Sequence, residues 1–355
     1  MEVRFLSIVV LVCLTAPALA FDAKADCIKA LVEAKKAGLP MSIADMGPRP
    51  SEKGNKELAK ELVVARRIWT VNEKRRIQLA TDYSDTRVLK RIKSFGDLAR
   101  SDTWIQSSDR QLLESANKII RHGWRPKYDP TDDKMKHPEA VVRAMIRVKM
   151  DDANRAAASG NLLEVIKGLH ETRKLPSLAL TNSKYMSAFM AASLEKSYYQ
   201  YLLKLVEKYP TVGKQLPYKV VEPLPKPSVK AILREEFFYG LRDGIYPSQP
   251  SFVSPAFPDL KIPKSQEEQI LYLKAVKNFT VVYKKCGDAK DYGEANLRYQ
   301  SIKKDLDFVI SDMFSKGEKN IVGPYWVEWF GDIDRILLDR VTIIKKMGIK
   351  KSMKS

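Results

Sequence analysis

Apolar positions follow a helical period along nearly the whole chain, and the alternating pattern of a half-buried strand is almost absent. The period is clear in four segments, whose apolar faces are Leu58, Leu62, Ala65 and Trp69; Val141, Met145 and Val148; Ile302, Leu306, Val309 and Met313; and Trp326, Phe330, Ile333 and Leu337. Residues at this spacing share one face of an α-helix and can be buried together. The pattern predicts an all-α protein whose helices pack as antiparallel hairpins, in a bundle or a short solenoid.

Two long segments interrupt the helical pattern, and both are rich in proline. They cover residues 217–228 and 246–263. Proline favours extended geometry, and loops of such length are uncommon in a compact domain. We therefore expect long proline-rich surface loops that lie along helices and bury their few apolar residues, which are Val220, Val221, Phe252, Val253 and Phe257.

The first twenty residues have the three-part pattern of a secretory signal peptide. Arg4 gives a positive start, an apolar run extends from Phe5 to Leu14, and Ala18-Leu19-Ala20 has the small residues of a cleavage site. The run is shorter than the roughly 20 residues that span a bilayer. We expect residues 1–20 to be cleaved and the remaining chain to be exported to the periplasm or the extracellular space.

The exported part is long enough for two helical subdomains. Because the first proline-rich segment follows a long helical stretch, we expect an N-terminal subdomain over residues 21–215 and a C-terminal subdomain over residues 216–348. Residues 349–355 form a short basic tail.

Positive charge is the strongest indication of a partner. The chain has a formal net charge of +19, and two segments are especially basic: residues 56–93 hold eleven Lys and Arg against five Asp and Glu, and residues 335–355 hold seven against one. The candidate binding residues in these segments are Arg75, Arg76, Lys90, Arg91, Lys345, Lys346, Lys350 and Lys351. They favour an anionic envelope component, either a lipid or an acidic glycan, or another protein, and they indicate no specific nucleic acid. The alternative is that these residues simply cover solvated helical faces. The sequence does not indicate an oligomeric state.

The stretch AGLPMSIADMGPRP at residues 37–50 has an ordered string of turn residues between two helices. Gly38 can end the first helix, Asp45 can accept main-chain N–H bonds, and Asn55 can cap the next helix. Met41, Ile43 and Met46 offer apolar anchors. The stretch is therefore interpreted as a strut docked on the helices, with a ligand-binding loop as the alternative.

The same stretch resembles one found in a family of uncharacterised, exported, all-helical bacterial proteins. The residues that carry the resemblance are Gly38-Leu39-Pro40, Ile43-Ala44-Asp45-Met46, Pro48, Pro50 and Asn55, and the segments around residues 154–175 and 233–241 are also similar. Leu39 departs from the family, in which glutamate is expected. The resemblance implies a fold and a compartment, but no activity is established for that family.

Two cysteines remain after the predicted cleavage, Cys27 and Cys286. Each lies on the apolar side of its predicted helix, Cys27 one turn before Leu31 and Cys286 one turn after Val282. Outside the cytosol such a pair is a candidate disulfide. The alternative is two separately buried thiols.

Signatures of catalysis and of cofactor binding are absent from the sequence. No catalytic residue, metal ligand or cofactor is expected. The carboxylates with an unusual setting are Asp152, which continues the apolar stripe of its helix, and Glu235. An ion pair between helices is one interpretation, and an acid of a hydrolase is the other.

Aromatic side chains cluster at residues 323–332, with Trp326, Trp329 and Phe330 on one helical face. Such a cluster is typical of core packing. Exposed, it could instead stack on sugar rings or lie at a membrane interface.

These observations favour an exported, non-catalytic helical binding or scaffold protein with an anionic partner in the cell envelope. One alternative is an envelope glycan hydrolase that uses paired carboxylates. Another is a peripheral membrane protein attached through its basic segments.

Overall fold

A computed structural model of the chain describes residues 22–46, 52–82, 102–123, 138–180, 185–244, 251–306, 310–314, 318–321 and 324–348. The predicted signal peptide, the basic tail and four candidate binding residues, Lys90, Arg91, Lys350 and Lys351, lie outside the described residues.

The described chain is mainly helical, which confirms the predicted all-α class. The α-helices are α1 Ala23–Lys36, α2 Glu52–Asp82, α3 Thr103–His122, α4 Glu139–Ala158, α5 Leu162–Thr172, α6 Tyr185–Lys208, α7 Pro210–Gly213, α8 Val229–Tyr239, α9 Gln266–Cys286, α10 Tyr292–Ile302, α11 Phe330–Arg335 and α12 Leu338–Met347. Short 3-10 turns cover Ala44–Met46, Leu175–Ala179, Tyr218–Val220, Lys303–Asp305 and Tyr325–Trp329, and a π turn covers Gly240–Gly244. The strands are β1 Ser251–Ser254, β2 Phe257–Pro263, β3 Ile310–Phe314 and β4 Glu318–Ile321. None of the described helices combines the length and the apolar character needed to cross a bilayer.

The chain forms two compact units, and each is assembled from separate stretches of sequence. Of the described residues, the first unit contains 22–46, 233–244, 251–287, 301–306, 310–314, 318–321 and 324–325, and the second contains 52–82, 102–123, 138–180, 185–232, 288–300 and 326–348. Residue 215 belongs to the second unit, and the division into consecutive subdomains at this residue stays a prediction.

In the first unit α1 packs against α9, and the two helices run in the same direction. The thiol of Cys27, in the second turn of α1, donates to the carbonyl oxygen of Gln269 near the start of α9, at 3.2 Å. The hydroxyl of Tyr283, near the end of α9, donates to the carbonyl oxygen of Gly38, just beyond α1, at 3.4 Å. Strands β1 and β2 form an antiparallel hairpin, and β2 packs on α9.

The parallel packing of α1 and α9 keeps the two cysteines of the expected disulfide apart. Both cysteines are buried, and neither forms a disulfide. Cys27 lies beside Gln269, whereas Cys286 is the last residue of α9; at 1.5 Å per residue these two positions on α9 are about 25 Å apart. A disulfide needs Cα atoms within about 7 Å of each other. The expected bridge is therefore not formed, and two separately buried thiols describe the structure.

The turn after α1 is docked, as the strut interpretation predicts. Gly38 has φ +97°. It ends α1 in a Schellman motif, in which the N–H of Leu39 donates to the carbonyl of Ala34 at 3.1 Å. The Asp45 carboxylate accepts the N–H groups of Met41 at 2.8 Å and Ser42 at 2.9 Å.

Two further contacts hold this turn, and one expected cap is wrong. Arg234 donates to the carbonyl oxygen of Asp45 at 2.6 Å, and the N–H of Ile43 donates to the carboxylate of Asp259 at 2.8 Å. Helix α2 begins at Glu52, so Asn55 lies inside it and does not cap it.

The core of the second unit is built by helices adjacent in sequence, since α2 packs on α3, α3 on α4, and α4 on both α5 and α6. Helix α4 is central to this core: Met145, Ile146 and Met150 have no exposed surface. Tyr198 and Tyr199 of α6 are also fully buried. Helix α12 packs on α6 and adds Ile343 and Met347 to the same cluster.

The proline-rich segment 217–228 is docked on the second unit, as predicted. Val220 and Val221 are buried. Side chains from separate helices donate to its carbonyl oxygens: Arg173 to Lys219 at 2.8 Å, Arg340 to Val221 at 2.6 Å, and Tyr292 to Pro227 at 2.6 Å. Each of these bonds satisfies a main-chain acceptor of a segment that belongs to no described strand.

Three elements differ from the predicted helical pattern. The second proline-rich segment contains the β1–β2 hairpin, in which Phe257 is buried and Val253 stays 51% exposed. The expected helix over residues 302–313 is wrong, because α10 ends at Ile302 and β3 begins at Ile310. The expected last helix is broken into a 3-10 turn, α11 and α12. Apolar residues four apart in these segments fit a short strand or a 3-10 turn as readily as an α-helix.

Candidate functional site

The candidate basic residues of α2 are engaged in ion pairs between helices. Arg75 donates to the carboxylate of Asp102 at 3.1 Å, and Asp102 also caps α3 by accepting the N–H of Ile105 at 2.9 Å. Arg76 lies 3.6 Å from Asp109. These arginines therefore tie α2 to α3.

Asp109 also pairs with a second arginine, which lies closer to it than Arg76 does. Arg147 of α4 donates two hydrogen bonds to this carboxylate, at 2.6 and 2.9 Å. The side-chain amide of Asn72 donates to it as well, at 2.9 Å. Burial and the positive charge of Arg147 lower the pKa of Arg76. One carboxylate thus joins three helices, and this arrangement is explained by packing alone.

The candidate lysines near the chain end lie in the last turn of α12. Lys345 is exposed, and Lys346 forms an ion pair with Glu207 of α6. Positive side chains at a helix C-terminus also interact favourably with the helix dipole.

A concave site lies on α3, α4 and α5, and we call it the polar groove. Its volume is about 580 Å³. It is lined by Asn117, Ile120 and Arg121 of α3, by Lys149, Asp152, Ala153, Arg155 and Ala156 of α4, by Ser159 and Asn161 between the helices, and by Glu164, Lys167, Gly168 and Glu171 of α5.

The groove owes its shape to a tight turn and to small side chains. Gly160 has φ +72° and ends α4. Asn161 follows and caps α5 by accepting the N–H of Glu164 at 3.3 Å. At Gly168 a Cβ atom would lie 3.8 Å from the Cβ of Ala153, so α4 and α5 approach closely on their facing sides.

Lys149 forms the floor of the groove and is only 3% exposed. Its ammonium group donates to the carboxylate of Glu171 at 2.7 Å and to the side-chain oxygen of Asn117 at 2.9 Å. Because a buried ammonium needs such partners, the site fixes a positive charge at a defined position between three helices.

The rim of the groove carries weaker, exposed ion pairs. Asp152 accepts from Arg155 at 3.0 Å, and Glu164 lies 3.8 Å from Lys167; each pair lies within one helix. The side chain of Asp152 is 49% exposed, so the expectation of an ion pair joining two helices is wrong. Arg121 is exposed, and its guanidinium group forms no hydrogen bond or ion pair with any residue in the described ranges.

The charges of the groove suit an anion. Four cations, Arg121, Lys149, Arg155 and Lys167, face three acids, Asp152, Glu164 and Glu171. All three acids already contact a cation. Glu235 belongs to the first unit and does not line this groove.

The aromatic cluster of the sequence is mainly a packing element of the second unit. Tyr185 of α6 stacks on Trp326 with ring centroids 5.5 Å apart, and Phe330 is fully buried against Tyr292 at 4.8 Å. Trp329 remains 49% exposed. Core packing, the expected outcome, is confirmed for Phe330.

Sequence reasoning missed the residues of the groove, although one signal was present. Lys149 stands between Val148 and Met150 in the buried stripe of α4. A lysine at such a position must be paired or must reach solvent, so it marks a polar site inside a helical core. Arg121 and Lys167 carry no such signal, because their spacing is that of ordinary surface residues.

Searches with protein-family models, curated proteins and solved structures find no match to this chain.

Proposed function

We propose that the protein is an exported, non-catalytic helical binding protein that holds an anionic group of a cell-envelope component in the polar groove. The carrying observation is the charge arrangement of the groove: each acid is already paired, and Arg121 is an additional cation that pairs with no residue of the described ranges.

The exposed rim pairs can change partners at little cost. Surface ion pairs contribute only about 0–1 kcal/mol, so Arg155 and Lys167 can turn to a ligand without a large loss of stability. Lys149 stays fixed by Glu171 and Asn117. The groove therefore combines one rigid cation with movable ones, which suits binding better than bond cleavage.

The charge of the whole chain supports the same partner. A net charge of +19 attracts anionic surfaces and raises the rate of encounter, and this attraction weakens as salt is added. The signal-peptide pattern and the resemblance to an exported helical family support an envelope location. Attachment through the basic tail is a separate prediction, since residues 349–355 lie outside the described residues.

The test is binding of residues 21–355 to phosphatidylglycerol vesicles, to phosphatidylcholine vesicles and to polygalacturonate across a salt series. We expect binding to at least one anionic partner, falling steeply with salt. Arg121→Gln is expected to weaken it about fivefold, the equivalent of roughly 1 kcal/mol for one exposed charge contact.

The matched control is Arg110→Gln. Arg110 is exposed on the same face of α3, three turns earlier and about 16 Å away, and it does not line the groove. We expect this variant to change binding less than twofold. Equal losses in both variants would mean that only net charge matters, and absence of binding to every anion would remove the proposal.

A further inference from the structure

An apolar cavity of about 420 Å³ lies in the second unit beside the polar groove. It is lined by Ile119, Ile120 and Gly123 at the end of α3, by Lys174, Leu175, Ser177, Leu178 and Leu180 after α5, and by Leu224 and Pro225 of the docked proline-rich segment. Its volume is within the range of small-molecule sites, and its walls are mostly aliphatic.

The groove and the cavity share a wall. Ile120 lines both, while its neighbours Arg121 and Ile119 line the groove and the cavity respectively. The last turn of α3 therefore separates a charged hollow from an apolar one. A ligand that lies across this turn, over Ile120, and reaches both hollows must be polar and anionic at one end and apolar at the other.

One of the residues that line the apolar cavity is a cation, Lys174. Lys174 is exposed and has no ion pair with another residue of the described ranges. Burial, and next to it the positive charges of Lys174, Lys219 and Arg173, lower the pKa of nearby His170. Arg173 is buried and paired with Glu222 at 3.5 Å, whereas Lys174 is exposed.

We infer that the anionic partner is an amphiphilic lipid whose head group lies in the polar groove and whose acyl chain enters the apolar cavity. This inference rests on the proposed function and narrows its ligand from lipid or glycan to lipid. A polysaccharide has no segment that would gain from the aliphatic walls formed by Ile119, Leu175 and Leu178. An acyl chain gains about a fourfold factor in affinity for each buried CH₂ group.

The first experiment measures binding of butyl, octyl and dodecyl phosphate to residues 21–355, below the micelle concentration of each, with dodecyl maltoside as the neutral amphiphile. We expect affinity to rise steeply from butyl to dodecyl phosphate, and dodecyl maltoside to bind at least about tenfold more weakly than dodecyl phosphate, as loss of a buried charge contact predicts.

A variant that fills the apolar cavity tests whether the acyl chain binds there. Ser177→Phe fills the cavity, and Ser177→Ala is its matched control, since both remove the hydrogen bond from the Ser177 hydroxyl to the carbonyl oxygen of Lys174 at 2.6 Å. We expect Ser177→Phe to reduce dodecyl phosphate binding to the level of butyl phosphate, and Ser177→Ala to change little. If Ser177→Phe does not fold, Leu180→Trp against Leu180→Met serves the same purpose.

The outcomes separate the two proposals. Affinity that is independent of chain length, or an equal loss of butyl and dodecyl phosphate in Ser177→Phe, overturns the lipid inference while leaving anion binding intact. Dodecyl maltoside binding as tightly as dodecyl phosphate overturns both proposals, because the cations would then contribute nothing.

Discussion

The hydroxyl of Tyr198 donates to the carbonyl oxygen of Val220 at 2.8 Å, in a site where both residues are buried. On the next residue of α6, Tyr199 donates to the carboxylate of Glu195 at 2.8 Å, and the same carboxylate accepts the N–H of Leu224 at 2.9 Å. Burial raises the pKa of both phenols well above the usual range, so both hydroxyls keep the proton that they donate. A proline-rich segment is thus held by side chains of a helix rather than by its own main-chain pairing.

Tyr198→Phe tests this attachment. The change leaves the Val220 carbonyl oxygen buried without its donor, which costs about 1–3 kcal/mol. We expect the free energy of unfolding, measured by urea denaturation, to fall by this amount. Tyr201→Phe on the same helix is the control, because the Tyr201 hydroxyl has no hydrogen bond with residues of the described chain. A comparable loss there would assign the effect to removal of a hydroxyl group in general and not to the bond with Val220.

The pair of Lys149 and Glu171 is open to a double-mutant cycle. Lys149→Met leaves the Glu171 carboxylate, whose side chain is 26% exposed, without its cation. We expect a loss of about 2–4 kcal/mol, less than for a fully buried pair. The double variant Lys149→Met with Glu171→Leu should recover more than half of that loss, as seen by thermal unfolding. Additive losses would show that the two side chains do not interact.

Asp45 should make the turn after α1 sensitive to acid. Hydrogen bonding from the N–H of Met41, and then from Ser42, outweighs desolvation and lowers the pKa of Asp45 below its ordinary 3.8. A carboxyl group with a lowered folded-state pKa contributes stability above its unfolded value, and this contribution is lost as the pH falls through the folded value. Asp45→Ala is expected to cost about 1–2 kcal/mol at neutral pH and to have a smaller effect below about pH 3. Glu33→Ala, on the exposed side of α1, is the control for removal of a surface carboxylate.

The absence of a disulfide can be tested by counting the reactive thiols. Residues 21–355 contain two cysteines, and neither forms a disulfide. We expect two thiols per chain to react with a chromogenic disulfide reagent in denaturant without any reductant. In the native protein at pH 8, Cys27 should react very slowly, because burial, and then the negative charge of Asp26, raise the pKa of Cys27 from 9.0 to about 12. If no thiol reacted in denaturant, the two cysteines would be joined in a disulfide after all.

The same thiol predicts a loss of stability in alkali. Its folded-state pKa lies above the unfolded one, so the stabilisation is complete below about pH 9 and is lost as the pH rises toward 12. The slope from one such group is at most about 1.4 kcal/mol per pH unit. Cys27→Ala should lower the slope of unfolding free energy against pH between pH 9 and 11, whereas Cys286→Ala tests whether the effect is specific to Cys27.

The helical class and the docking of the first proline-rich segment could be predicted because both depend on local pattern. The turn after α1 was also readable, since a glycine at the end of a helix and an aspartate three or four residues after the bonded N–H groups act within one turn. Asn55 shows the limit of this reasoning: a good cap residue is passed over when the helix begins earlier, at Glu52.

The relation between distant segments could not be predicted. Nothing in the spacing of Cys27 indicates that its helix runs parallel to α9, and this direction alone separates the two thiols. The groove was missed for a similar reason, because it requires Arg121, Lys149 and Lys167 to converge from three helices. The exposed rim charges look like any solvated surface until the helices are placed.

The parallel pairing of α1 with α9 has a consequence for the order of folding. Cys27 and its partner Gln269 are 242 residues apart, so the pairing must close a very long loop. Contacts of such separation are slow to form, whereas α2 to α6 can assemble from neighbours as they are synthesised. Helix α1 therefore leaves the ribosome long before α9, the helix that covers it. Until then its apolar stripe of Cys27, Leu31 and Ala34 is open to any chaperone, or any wrong partner, that meets the chain on its way.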